Sequence, residues 1–181
     1  HTVQNYLKRP VFIVTSFLTL GGILSLLYKF FISNLLIVGE KRFFVESYNY
    51  EDTNISKIFF LYKLRYLANP SWVMFCYTLF QKLWDLTIIG GIIKHYEYSM
   101  IPYILAENPK ISQKNAFFLS KQLTKWNKWN LFLLDLSFLG WELFSLFTLG
   151  ILDIIYVRPY KMNCKASLYL FLRRNYVLSR A

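Results

Sequence analysis

Apolar residues fall along the chain in long blocks separated by short polar or basic stretches. Residues 11–32 form the first block, long enough for the roughly 30 Å of hydrocarbon in a bilayer. Gly21-Gly22 within it reads as a mark of close helix packing rather than a break. Lys29, near its far end, can snorkel. Ser33-Asn34 reads as a turn. Residues 35–48 then read as a short helix returning to the basic side, with Glu40, Lys41, Arg42 and Glu46 near headgroups. Residues 49–54 are a polar loop, and residues 55–67 are aromatic and basic, suited to a helix lying in the interface. Asn69-Pro70-Ser71 breaks that helix.

Residues 72–89 are a second span, with Trp72 at an interface. Lys82 and Asp85, three apart, share a helix face and can pair. Gly90-Gly91 marks a turn or kink, and residues 92–107 a further apolar helix that Asn108-Pro109 ends. Ser112 is the expected N-cap of a helix over residues 113–126. Ala116, Leu119, Leu123 and Trp126 make one stripe of that helix; Lys114, Lys121, Lys125 and Lys128 make another. An apolar stripe beside a cationic one predicts a helix lying flat on anionic lipid. Residues 129–149 are a third span, interrupted by Asp135 and Glu142. Gly150 opens a last segment, residues 151–172, carrying Asp153, Arg158 and Lys161.

Composition supports a bilayer setting. The 181 residues are 55% apolar and 20% aromatic, and only 17% are charged, too few to cover a globular surface. Mean hydropathy is +0.32. The net charge of +11 in so apolar a chain points to the anionic cytoplasmic leaflet rather than nucleic acid. Cys76 and Cys164 lie far apart in apolar surroundings and read as reduced, small hydrophobes. The chain starts at His1, so a natural N-terminus is expected to be missing.

The basic regions are the N-terminus, residues 41–65, residues 110–128 and the C-terminus. The positive-inside rule puts all of them in the cytoplasm, which requires an even number of crossings between them. The expected fold is all-α: one polytopic helical membrane bundle over residues 1–181, of six segments in three helical hairpins, with interfacial helices at 55–67 and 113–126. Both termini are expected in the cytoplasm of a bacterial cell membrane.

No HExxH, GxSxG or glycine-rich phosphate loop is present, so no catalytic residue, metal or cofactor is expected. His95 beside Glu97 supplies too few ligands for a metal. The site candidates are the charges inside apolar segments: Lys82, Asp85, Glu97, Asp135, Glu142 and Arg158. Facing lipid unpaired, each costs several kcal/mol. They therefore either pair to fix helix register or line a polar cavity. Lys114, Lys121, Lys125 and Lys128 are the expected anionic-lipid contacts.

Gly91-Ile92-Ile93-Lys94, Tyr98-Ser99-Met100, Tyr103-Ile104-Leu105-Ala106 and Pro109 form a recognisable run. Lys128-Trp129, Leu131-Phe132, residues 134–141 (LDLSFLGW), Leu149-Gly150 and Pro159-Tyr160 extend it. Gly39 with Phe43-Phe44 adds a looser element upstream. Together these resemble a bacterial integral membrane family catalogued as domain of unknown function 975. The resemblance implies a multi-pass helical protein of the cytoplasmic membrane, similar to the membrane domain fused to glycerophosphodiester phosphodiesterases, with no catalytic residues to carry over. The expected role is a non-enzymatic accessory protein acting with a membrane partner, such as a transporter or envelope-synthesis complex, or as a homo-oligomer. The alternative is a carrier or permease for a lipid or amphipathic peptide, with Lys82, Asp85, Asp135 and Glu142 in a central cavity.

Overall fold

The computed structural model describes residues 2–50 and 53–179, with side chains from Val14 onward, and all regular structure among them is helical. Lys8, Arg9 and Arg180, which helped set the expected orientation, have side chains outside that description.

Helix α1 (Thr2–Tyr28) does not end at the expected turn. It passes through a π-helical turn, Lys29–Ser33, into α2 (Asn34–Asn49), and Ser33 and Asn34 both keep right-handed helical dihedrals. No Gly or Pro lies between Gly22 and Gly39 to stop the helix. The expected first hairpin is thus one continuous helix, Val14–Asn49, of 36 residues, about 54 Å long. The Gly21-Gly22 pair also departs from expectation: among the described residues nothing lies within 4 Å of a Cβ built on either glycine.

The two halves of that helix differ. Residues 14–32 are almost wholly exposed, whereas Leu35 and Val38 of α2 are fully buried. A 3-10 turn (Ile55–Phe59) crosses α2 at Gly39, where a Cβ would fall 1.8 Å from the Ile58 carbonyl oxygen. Only glycine permits that approach. Helix α3 (Phe60–Leu64) follows and stops at Arg65, whose φ of 57° is left-handed. It contributes the buried Leu61, so the expected interfacial helix is a 3-10 turn and one short helix packed on α2.

Helix α4 (Ala68–Asp85) starts with Pro70 in its first turn, where no backbone donor is needed. The Asn69 side-chain amide donates to the carbonyls of Pro109 and Ile111 at 2.7 and 2.8 Å and holds that start in place. The chain reverses at Leu86-Thr87 rather than at Gly90-Gly91, and α5 (Ile88–Tyr98) returns along α4. The glycines sit in the first turn of α5, where a Cβ on Gly91 would come within 3.1 Å of Asp85 Cα. A break at Ser99–Met100 separates α5 from α6 (Ile101–Glu107), so the expected single helix over 92–107 is two. Asn108-Pro109 ends α6 as expected.

Helix α7 (Gln113–Thr124) is capped by Ser112, whose hydroxyl accepts from the Asn115 N–H at 3.4 Å. Part of its apolar stripe faces the protein core. Ala116 is fully buried and Leu123 is 4% exposed in the protein core, and Trp126 stands exposed beyond the helix end. The core competes for this face because Ser120 and Thr124 share it and find partners there: Ser120 donates to the Glu97 carbonyl at 2.6 Å. Helix α8 (Lys128–Phe147) matches the expected third span. Leu149 and Gly150, with φ of 52° and 80°, turn the chain. A π-helical turn (Asp153–Val157) then leads into α9 (Arg158–Leu178).

The core is gathered at one end of these hairpins, from α2, α3, the first half of α4, α6, α7 and the middle of α9. The opposite ends are apolar and exposed. Leu86 is 83% and Leu149 93% exposed, and residues 14–32 stand out alongside them. Two helices, Val14–Asn49 and Lys128–Phe147, are long and apolar enough to cross a membrane. Only 17% of each apolar window is buried.

Gly39→Ala drives a methyl into a backbone carbonyl and is expected to destabilise the detergent-solubilised protein by about 1–3 kcal/mol. Gly140→Ala, with nothing within 4 Å, leaves the thermal midpoint unchanged or raises it slightly. Equal midpoints for the two variants would contradict this packing.

Candidate functional site

Beneath the exposed apolar ends runs a belt of ion pairs, built mostly from the charges that the sequence singles out. Glu97, near the end of α5, is 4% exposed. Lys94, one turn earlier, donates to it at 2.8 Å, and Lys128, at the start of α8, donates at 3.0 Å. The pair of lysines joins α5 to α8. Burial by itself would raise the pKa of Glu97, but the two ammonium groups outweigh it and hold the carboxyl below its ordinary range. Glu97 lies outside both candidate spans.

A second cluster joins α8 to α9. Lys161 reaches Asp135 at 3.0 Å and Glu142 at 2.7 Å, and Lys165 reaches Asp135 at 2.8 Å. The hairpin sets this register. Asp135 and Lys165 stand equally far before and after Gly150, so an antiparallel return brings them level. Arg158 pairs with Asp153 at 2.9 Å, an exposed contact on one side of the same hairpin.

Two further groups close the belt. Arg42 and Lys57 both reach Glu46, and Arg42 also donates to the Ala106 carbonyl at 3.0 Å. Glu107 accepts from the Tyr169 hydroxyl and from Arg173, each at 2.7 Å. Lys41 pairs with Glu40 at 3.3 Å and sits 5.7 Å from the centre of the Tyr103 ring, which stacks on Tyr169.

The structure therefore treats the sequence candidates unequally. Glu97, Asp135, Glu142 and Arg158 are paired. Lys82 and Asp85 do not pair with each other: Asp85 accepts from Gln81 at 2.7 Å, and Gln81 also donates to the Gly91 carbonyl, bridging α4 and α5. Lys82 lines a cavity with neither Asp85, Asp135 nor Glu142 in its wall. Of the expected lipid contacts, Lys114, Lys121 and Lys125 are exposed, but Lys128 is committed to Glu97. Lys41, Lys161, Lys165 and Glu107 are ion-pair partners that single-segment reading misses. The symmetry of the α8–α9 hairpin about Gly150 is the signal that would have found Lys161 and Lys165. Among the described residues, no three His, Cys, Asp or Glu side chains come together to hold a metal.

Glu97→Gln leaves Lys94 and Lys128 facing a neutral amide and is expected to cost about 1–3 kcal/mol, discounted for the part-exposed lysines. Because its folded pKa is depressed, Glu97 adds stability above the unfolded carboxylate pKa of about 4.3, and that contribution is lost as pH falls through the lower folded value. The gap between wild type and Glu97→Gln should close in acid. A gap independent of pH would refute the pairing.

The model of a family described as "Protein of unknown function (DUF975)" matches residues 55–176. No curated protein matches the chain, and no solved structure does. The matched region runs from the 3-10 turn on Gly39 to the last turns of α9, so it contains both hairpins and most of the ion-paired belt. The chain belongs to this family, DUF975.

Proposed function

We propose that this is a non-enzymatic, multi-pass accessory protein of the bacterial cytoplasmic membrane, acting with a membrane partner such as a transporter or an envelope-synthesis complex. The observation that supports it most is the contrast between ion-paired carboxylates and open apolar helix ends. The carboxylates that a carrier would present to a cargo, Asp135 and Glu142, are held by Lys161. The apolar surface of residues 14–32 and of the two hairpin ends is left for lipid or another helix.

Positive charge orients the assembly. Lys110, Lys114, Lys121 and Lys125 lie at or near the core end, which belongs on the cytoplasmic, anionic side. The hairpins α4–α5 and α8–α9 then enter the bilayer and return, leaving Leu178 in the cytoplasm. The continuous helix Val14–Asn49 changes the expected count. With Asn49 inside, Val14 is at the outer face, about 28 Å of apolar helix away from Ile32.

The role is tested by purification in mild detergent and mass spectrometry of co-eluting proteins. A defined membrane protein should co-purify stoichiometrically and be lost on polar substitution of Leu20 and Leu24, both exposed on α1. A protein that is solitary and fully functional alone would sink the reading. The orientation is tested by labelling single cysteines with a membrane-impermeant maleimide on intact cells. Lys125→Cys should stay unlabelled until the cells are opened, and labelling from outside would reverse the orientation.

A further inference from the structure

One feature that the ion-paired belt does not explain lies between α1 and α4. The two helices touch where the rings of Phe30 and Phe75 meet edge to face, 5.7 Å between centres. Beside that contact a cavity of about 490 Å³ opens between them, within the range of small-molecule sites. Its apolar walls are Ile23, Leu26 and Leu27 from α1, Phe30 from the π-helical turn, and Phe75 and Leu79 from α4, with Asn34 and Thr78 also lining it.

Two cations line this apolar space, Lys29 and Lys82, and no carboxylate does. Neither lysine has an ion pair among the described residues, whereas every carboxylate in the α8–α9 hairpin has one. Two unpaired cations on a groove of hydrocarbon character are costly beside lipid. The matching occupant is an amphiphile with an anionic head and an apolar tail, because it neutralises the lysines and fills the cavity together. A phosphodiester suits lysine, which binds phosphate as a compact point charge on a flexible stem.

We propose that the groove between α1 and α4 is a binding site for one anionic glycerophospholipid, its phosphate held by Lys29 and Lys82 and an acyl chain lying against Leu26, Leu27, Phe75 and Leu79. This rests on the membrane reading above. It differs from general attraction to an anionic surface, which the exposed Lys114, Lys121 and Lys125 supply without any cavity.

The test is native mass spectrometry of the full chain in detergent, with equimolar phosphatidylglycerol and phosphatidylethanolamine as competing probes. Wild type should retain one phosphatidylglycerol in preference to phosphatidylethanolamine. The double variant Lys29→Gln/Lys82→Gln should lose that preference by about tenfold or more, since two charge-assisted contacts are removed. Leu79→Trp, which fills the cavity and keeps both charges, should reduce retention of either lipid. Lys114→Gln/Lys121→Gln should retain phosphatidylglycerol as wild type does. Equal retention of the two lipids by wild type, or undiminished preference in the double variant, overturns the site. A stable dimer dissociated by Leu79→Trp also overturns it, because the groove would then hold a second copy of the chain. A protein that stays dispersed and folded without detergent overturns the membrane reading itself, a separate result.

Discussion

A carboxylate among apolar helices costs several kcal/mol unless a cation stands beside it, and this constraint organises the molecule. It explains why charged residues occur at defined levels of the helices and not along their whole length. Glu97 binds α5 to α8, Asp135 and Glu142 bind α8 to α9, and Glu107 binds α6 to α9. Each pair costs desolvation on both sides and contributes little net stability by itself. What the pairs supply is register: sliding one helix by a turn past its neighbour strands a charge in hydrocarbon.

The same constraint divides the chain along its length. Below and within the belt, small and aromatic side chains pack closely: Gly39 under Ile58, Ala116 and Ala166 without exposure, Tyr103 stacked on Tyr169. Beyond it the helices present leucine, isoleucine and phenylalanine outward, with few contacts between α1 and its neighbours. The fold is thus tight where polar groups need partners and loose where the surroundings are apolar already. Helix association in lipid follows this rule, because apolar burial gives no advantage there and close packing or polar pairing must supply it.

Much of this was legible in the order of residues. The all-helical class, the Ser112 cap, the stop at Asn108-Pro109, the end of the third span and the family all follow from local signals that the structure keeps. Three things were hidden, each for a physical reason. Ser33-Asn34 looks like a turn, but neither residue blocks a helix, and only packing of α2 shows that the helix continues. The stripe Ala116–Leu123 is equally consistent with lipid and with a protein core. Ser120 decides it, because its hydroxyl finds the Glu97 carbonyl, a partner 23 residues away. The partners of Asp135 lie across a turn, so no single-helix spacing reveals them, and Lys82 with Asp85 shows the converse: correct spacing without pairing.

The reversals at Leu86-Thr87 and at Leu149-Gly150 carry no ionisable side chain, and none occurs from Leu86 to Ile93 or from Leu143 to Leu152. Each reversal therefore presents an uncharged tip, and the nearest charges, Asp85 on one hairpin and Asp153 on the other, stand on the flanks behind it. The cost of desolvating charge then falls away from the tips, where lysines and carboxylates meet.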